Sequence, residues 1–194
     1  MYKRCVTEQS ACRQRELEQG VLRIMTEQRY EDITVIDLCN GLNIPRKAFY
    51  RYFSNKEGAL FALIDHTLMD FTVDFFACGQ DATYGTLERF FVFWSQQQLL
   101  LDTLVRNELS GVLVQRAIVL AVEEEFFPHQ LFPDLSRDTR EHVALFLVSG
   151  LMTMVAQWHR THFRNSPQKM AQIAAHLLTR PLFSASEEYN AIEA

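Results

Sequence analysis

Residues 34–60 read TVIDLCNGLNIPRKAFYRYFSNKEGAL, and this stretch decides the fold. Thr34 is an apt helix N-cap, with Asp37 three positions on and favourable to the helix dipole. Val35, Leu38, Cys39 and Leu42 follow at helical spacing. Asn43 comes next, and asparagine is one of the few non-glycine residues that tolerate a left-handed backbone. Pro45 stands where a first helical residue belongs, which predicts a second short helix over about 45–53. Ser54 and Glu57 then have the S-x-x-E spacing of a capping box. They open a longer helix carrying Leu60, Ile64, Thr67, Leu68, Phe71 and Phe75 on one stripe.

The charges in this stretch are one-sided. Between 43 and 56 stand Arg46, Lys47, Arg51 and Lys56 and no acid. Phe49 and Phe53, four apart, face inward as core, while Lys47, Tyr50 and Arg51 project from another face with Arg46 one turn before Tyr50. A short helix, a tight turn and a second helix with a basic and aromatic outer face is the helix-turn-helix arrangement. Its second helix enters the DNA major groove, about 12 Å wide. Arginine and lysine reach phosphates and guanine edges, and tyrosine hydroxyls donate to phosphates.

The whole-chain charge points the other way. The 194 residues carry a formal charge of −5, which taken alone argues against a nucleic-acid partner. Partition reverses that reading. Residues 1–60 hold ten Lys and Arg against eight Asp and Glu, a net of +2, and residues 61–194 hold nine against sixteen, a net of −7. An acidic remainder repels DNA wherever the basic head does not dock. Only seven Gly and five Pro occur, fewer than turn-rich β folds need, so the chain reads as all-α. Nearly every such breaker falls at a helix end. Gly20 and Gly150 are the clearest exceptions, and close packing would explain Gly150.

Cysteines 5, 12, 39 and 78 form no C-x-x-C pair and are expected as reduced thiols. The basic N-terminus is followed by no apolar segment of a secretory signal. The longest uncharged run, residues 142–159, is too short and too polar for a membrane span. A cytoplasmic protein with no membrane contact is expected. His159 and His162 share a helical spacing but have no third ligand nearby, so no metal and no cofactor is assigned. No G-x-S-x-G, H-E-x-x-H, Walker or dinucleotide motif supports an enzyme.

Outward from the centre, Leu17, Val21, Ile24 and Met25 predict a helix over about 11–28. Residues 79–85 read as a loop, and Leu87, Phe90, Phe91 and Trp94 as one face of a further helix. The glutamines 96–98 mark a solvent face or a break. Helices follow near 99–106 and 112–126, then a loop with Pro128 and Pro133, and a long helix over about 137–162. Ser166 and Pro167 start a last helix, which Arg180 and Pro181 end before a small, polar tail at 184–194. Phe90, Phe91 and Trp94 lie opposite Phe93, more aromatic surface than one core stripe needs.

Residues 34–60 resemble the DNA-binding domain of the TetR/AcrR (tetracycline-repressor) regulators, most specifically in FYRYFSNKEGAL. Residues 146–178, FLVSGLMTMVAQWHRTHFRNSPQKMAQIAAHLL, are similar to that family's C-terminal region. About half the chain is covered. Residues 79–135 match in helical character alone. The resemblance implies that Thr34 and Lys56 hold phosphates and that Tyr50 and Tyr52 touch DNA backbone or bases. It places Arg46, Lys47 and Arg51 on positions that set sequence preference. It also implies an effector pocket among the middle helices, for which Phe90 and Trp94 are candidates. Two departures stand out: Asn43 replaces the usual turn glycine, and Arg29 stands where a glycine usually closes the first helix.

The long helix is apolar nearly all round, so in a soluble protein one side packs on its own domain and the other needs a partner. Ala171, Ala174 and Ala175 on the last helix permit close approach. Together these predict a two-fold dimer through Val148, Leu151, Val155, Ala171, Ala174 and Ala175. The expected protein is all-α, with a three-helix DNA-binding head over 1–54 and a dimerisation and effector domain over 55–194. It is read as a homodimeric repressor. Its two recognition helices would stand roughly 34–36 Å apart or a little more on a near-palindromic double-stranded operator. A small apolar or aromatic effector would release it. The alternative is a DNA-bound activator or adaptor whose C-terminal domain binds a protein.

Overall fold

A computed structural model describes residues 1–3, 5–77, 83–123 and 135–179. They form α1 (Glu8–Glu27), a 3-10 turn (Tyr30–Asp32), α2 (Val35–Gly41), α3 (Arg46–Tyr52) and α4 (Lys56–Ala77). After these come α5 (Thr83–Gln96), α6 (Gln98–Arg106), α7 (Ser110–Glu123), α8 (Arg137–Arg160) and α9 (Pro167–Thr179). The described residues are thus all-α. Their one β contact is an isolated antiparallel bridge between Tyr2 and Phe53.

Local chemistry sets most of the helix ends. Thr34 and Asp37 make a full capping box: Asp37 N donates to Thr34 Oγ1 (3.2 Å) and Thr34 N to Asp37 Oδ2 (2.8 Å). Asn43 takes the left-handed turn at φ 50°. Pro45 is the residue before α3, not its first, and its carbonyl accepts from the amides of Ala48 and Phe49. Gln97 breaks the chain between α5 and α6. Ser166 caps α9, accepting from Lys169 N at 3.2 Å, with Pro167 first in the helix.

Two boundary expectations are corrected. Ser54 does not cap α4. Its amide donates to Met1 O (3.0 Å), and Ser54 lies in a bend ahead of the helix. The cap moves to Asn55, whose Oδ1 accepts from Gly58 N at 2.7 Å. Gly85 lies inside α5, not in a loop. Residues 78–82, 124–134 and 180–194, with Cys78, Pro128, Pro133, Pro181 and the polar tail, fall outside the described residues. So does the side chain of Phe75. Cys5, Cys12 and Cys39 are free thiols.

The end of α1 explains Arg29. The helix stops in extended backbone at Gln28 (φ −129°), so no left-handed glycine is needed. Its open carbonyls are met from α6 instead. Arg106 donates to Met25 O and Thr26 O, and Asn107 Nδ2 to Met25 O. Asn107 Oδ1 also accepts from Tyr30 N at 2.6 Å.

Helix α4 is the spine. Ala59, Leu60, Ala62, Leu63, Ile64, Asp65 and Thr67 are all buried, on every side of the helix, because α1, α5 and α7 pack around it. One continuous apolar cluster therefore runs from Leu17 and Phe49 near α3 to Trp158 and Ala174 at the far end. Gly20 is mid-helix because Leu42, from the turn after α2, occupies the place of a Cβ. Among the described residues no helix is long and apolar enough to cross a membrane.

Candidate nucleic-acid interface

Helix α3 is seven residues long and is held by its buried face. Phe49 and Phe53 are fully buried with ring centroids 5.2 Å apart, and Phe53 N donates to Phe49 O to close the helix. This fixes the opposite face in solvent. Arg46, Lys47, Tyr50 and Arg51 are exposed there. The Arg46 guanidinium lies 5.9 Å from the Tyr50 ring centre, within cation–π reach, so the two act as one polar unit. The outcome is an acid-free surface of two arginines, a lysine and a phenol on a helix of groove-compatible width.

Tyr52 does not share that face. It is 7% exposed, with its ring against Phe53 (6.2 Å) and Arg51 above it, so it supports the helix from behind. The register that exposes Tyr50 turns the Tyr52 ring inward, so the expected DNA contact of Tyr52 would fall to its hydroxyl alone.

Thr34 is exposed at the start of α2, but its hydroxyl is engaged, donating to Asp37 Oδ2 at 2.6 Å. That hydrogen bond holds the Asp37 carboxyl below the usual carboxylate range. Lys56 is engaged as well. Its ammonium donates to Tyr30 O (2.8 Å) and Glu31 O (3.2 Å) and stands 4.6 Å from the Tyr30 ring centre. Two of its three N–H groups tie the 3-10 turn to α4, which leaves one for a phosphate. Lys56→Ala is therefore expected to cost about 1–2 kcal/mol of stability and to reduce the salt slope of DNA binding by about one. Denaturant titration and affinity measured across salt concentrations separate the two roles. An unaltered slope would leave Lys56 as a strut alone.

The body positions the other candidates. Phe90 packs edge-on against Phe71 (5.4 Å) and Phe91 (5.2 Å) and lies 6.3 Å from Trp94. Trp94 is 0% exposed, and its indole N–H has no acceptor among the described residues. A cavity of about 10 Å³, room for one water, lies between α6, α7 and α8. Leu101, Leu104, Leu113, Met152, Ala156 and His159 help line it. His159 is paired to Asp102 (Nε2 to Oδ1, 2.7 Å), and its buried Nδ1 has no partner among the described residues. His162 lies beyond α8 in a left-handed turn (φ 51°).

Three of the six residues expected at a dimer interface are core of the single chain. Val155, Ala171 and Ala174 are 0–1% exposed within the single chain, and Val148, Leu151 and Ala175 pack partly on its core. The open side of α8 instead carries Phe146, 72% exposed, together with Gly150 and Thr153. A Cβ on Gly150 would meet open space. Leu177 and Leu178 are exposed on α9.

No protein-family model and no curated protein matches the sequence. Solved structures do match the fold. The fatty acid degradation regulator FadR from Bacillus halodurans superposes with a TM-score of 0.54 at 14% identity, over 87% of this chain and 95% of that one. The TetR family repressor AlkX from Dietzia sp. strain DQ12-45-1b gives 0.54 at 14%, over 84% and 93%. The dihydroxyacetone kinase operon activator DhaS gives 0.53 at 16%, over 85% and 93%. The chain has the all-α fold of these regulators, the TetR type, over most of its length.

Proposed function

We propose that this chain is a homodimeric, sequence-specific DNA-binding transcriptional regulator. In this reading it is a repressor that holds a near-palindromic operator through α3 and leaves it when a small effector enters the body. The observation that carries the reading is the exposed, acid-free face of Arg46, Lys47, Tyr50 and Arg51, set after a left-handed turn on a TetR-type fold. The direct test is selection of bound sequences from random duplex DNA with purified protein. Enrichment of a two-fold related sequence is expected, and a pool without enrichment would overturn the reading.

Two copies are needed because a seven-residue helix spans only one half-site. The exposed Phe146 of α8 and the exposed Leu177 and Leu178 of α9 are the apolar side chains this reading assigns to the two-fold interface. Phe146→Asp is expected to give folded monomers, since a side chain 72% exposed contributes little to the protomer itself. Sedimentation at micromolar concentration would show it, and an intact dimer would move the interface elsewhere.

The effector step rests on the body. The buried, unpartnered indole N–H of Trp94 among Phe90, Phe91 and Phe93 supports a largely apolar or aromatic ligand with one hydrogen-bond acceptor. Such a ligand acts only through its different affinities for two conformations. The contacts of Arg106 and Asn107 with the end of α1 give that change a path from α6 to the head. A second reading keeps the DNA contact and gives the body a protein partner, as an activator or adaptor. The close packing of Phe90 and Trp94 by their own chain favours it, and the solved structures of this fold include both a repressor and an operon activator.

A further inference from the structure

Residues 1–3 run as an extended strap along the end of α3. Lys3 N donates to Tyr52 O (2.9 Å), Ser54 N to Met1 O (3.0 Å), and Lys3 Nζ to Tyr50 O (3.2 Å). Tyr2 pairs with Phe53, and the Met1 carbonyl lies where a Cβ on Gly58 would stand. The Tyr2 side chain turns toward the body. Its ring meets His66 edge-on (5.3 Å, 69°), and its phenol lies within the field of the Asp65 carboxylate. Burial and the Asp65 charge push the Tyr2 phenol far above its ordinary pKa, so it stays a neutral donor.

Asp65, fully buried on α4, is gripped from α7 by Arg116. Nε donates to Oδ1 (2.7 Å) and Nη2 to Oδ2 (2.5 Å), while the guanidinium stands 5.0 Å from the Phe61 ring centre. Beside it His66 Nδ1 meets both carboxylate oxygens of buried Glu18 on α1 (2.8 and 3.0 Å). A buried ion pair adds little net stability over apolar packing. A bidentate arginine does fix direction. Here the fixed direction runs from α7 through Asp65 and Tyr2 to the last residues of α3.

We propose that the strap at residues 1–3 is a positioning element for α3, with Tyr2 as the positioning residue and the Asp65–Arg116 pair as the anchor that ties it to α7. The proposal rests on the DNA-binding reading of α3. It adds a second route from body to recognition helix, separate from the contacts of Arg106 and Asn107 with α1. No atom of Tyr2 needs to touch DNA.

The test uses full-length Tyr2→Phe, which keeps the ring and removes the hydroxyl, and Gly58→Ala, which displaces the Met1 carbonyl without burying a charge. Each is expected to weaken binding to the selected DNA by roughly 2- to 12-fold, the worth of one net hydrogen bond. The salt slope should stay unchanged, the thermal midpoint should fall by no more than the few degrees that one hydrogen bond is worth, and amide exchange at Phe53 and Ser54 should speed up. The double variant should lose no more than the worse single one. An unchanged affinity overturns the proposal. So does a slope lowered by about one, which would make the strap a phosphate contact, or an affinity loss explained by a larger fall in the midpoint. If the wild-type protein selects no DNA, the functional reading fails by itself. The strap then stands or falls on whether Tyr2→Phe speeds exchange at Phe53.

Discussion

Replacing Lys47 and Arg51 together with alanine lowers affinity for the selected DNA by roughly 2–6 kcal/mol, thirtyfold or more, at about 1–3 kcal/mol for each side chain that reads a base. Both side chains are exposed on α3, so the folded protein loses little, about half a kcal/mol at most. The loss therefore appears in DNA binding and not in thermal unfolding. Fluorescence anisotropy at one fixed salt concentration, with the selected duplex and a scrambled one, gives the measurement. A larger loss on the selected duplex marks base readout, and an equal loss on both marks phosphate contact. Unchanged binding by the double variant would remove α3 as the reading helix. Alanine at Phe49 would be uninformative, because that ring is fully buried and its loss unfolds the head.

A large stability effect is also expected of Arg116→Ala. It leaves the Asp65 carboxylate buried without its bidentate partner. Breaking such a pair from one side costs about 3–5 kcal/mol, out of a total of about 5–15 kcal/mol for a folded chain. For a chain of this size each kcal/mol shifts the thermal midpoint by about 2–4 °C, so a drop of roughly 6–20 °C is expected in calorimetry. The double variant Asp65→Leu with Arg116→Met removes both charges and should recover most of it. A midpoint lowered by under 2 °C in Arg116→Ala would show that Asp65 finds another partner.

The head was legible because its signals are local. A cap and its third residue, a left-handed asparagine, and two phenylalanines one turn apart each act over a few residues. Thr34, Asn43, Phe49 and Phe53 all took the places those rules assign. Ser54 and Asn55 are both capping residues, and local rules do not rank neighbours of the same chemistry. A distant carbonyl, Met1 O, made the choice. The packing of the Tyr52 ring was not legible because the family pattern names residue types along a helix. Its burial depends on how far the helix is rotated about its packed face.

The body was less legible for a physical reason. A helix apolar nearly all round has no phase in its hydrophobic pattern, so α8 could be known as a core helix but not turned the right way. Its partners α7 and α6 settled that Val155 faces inward and Phe146 outward. The all-α class, the turn, the basic face of α3 and the acidic remainder were determined by the sequence alone, because composition and short-range spacing carry them. The closure of α1 by Arg106 and Asn107 was decided only by the tertiary structure. So were the strap on Gly58 and the chain of contacts from Arg116 to Tyr2. Each joins residues about 50 or more positions apart, beyond the reach of any local rule, where only the packed chain brings donor and acceptor together.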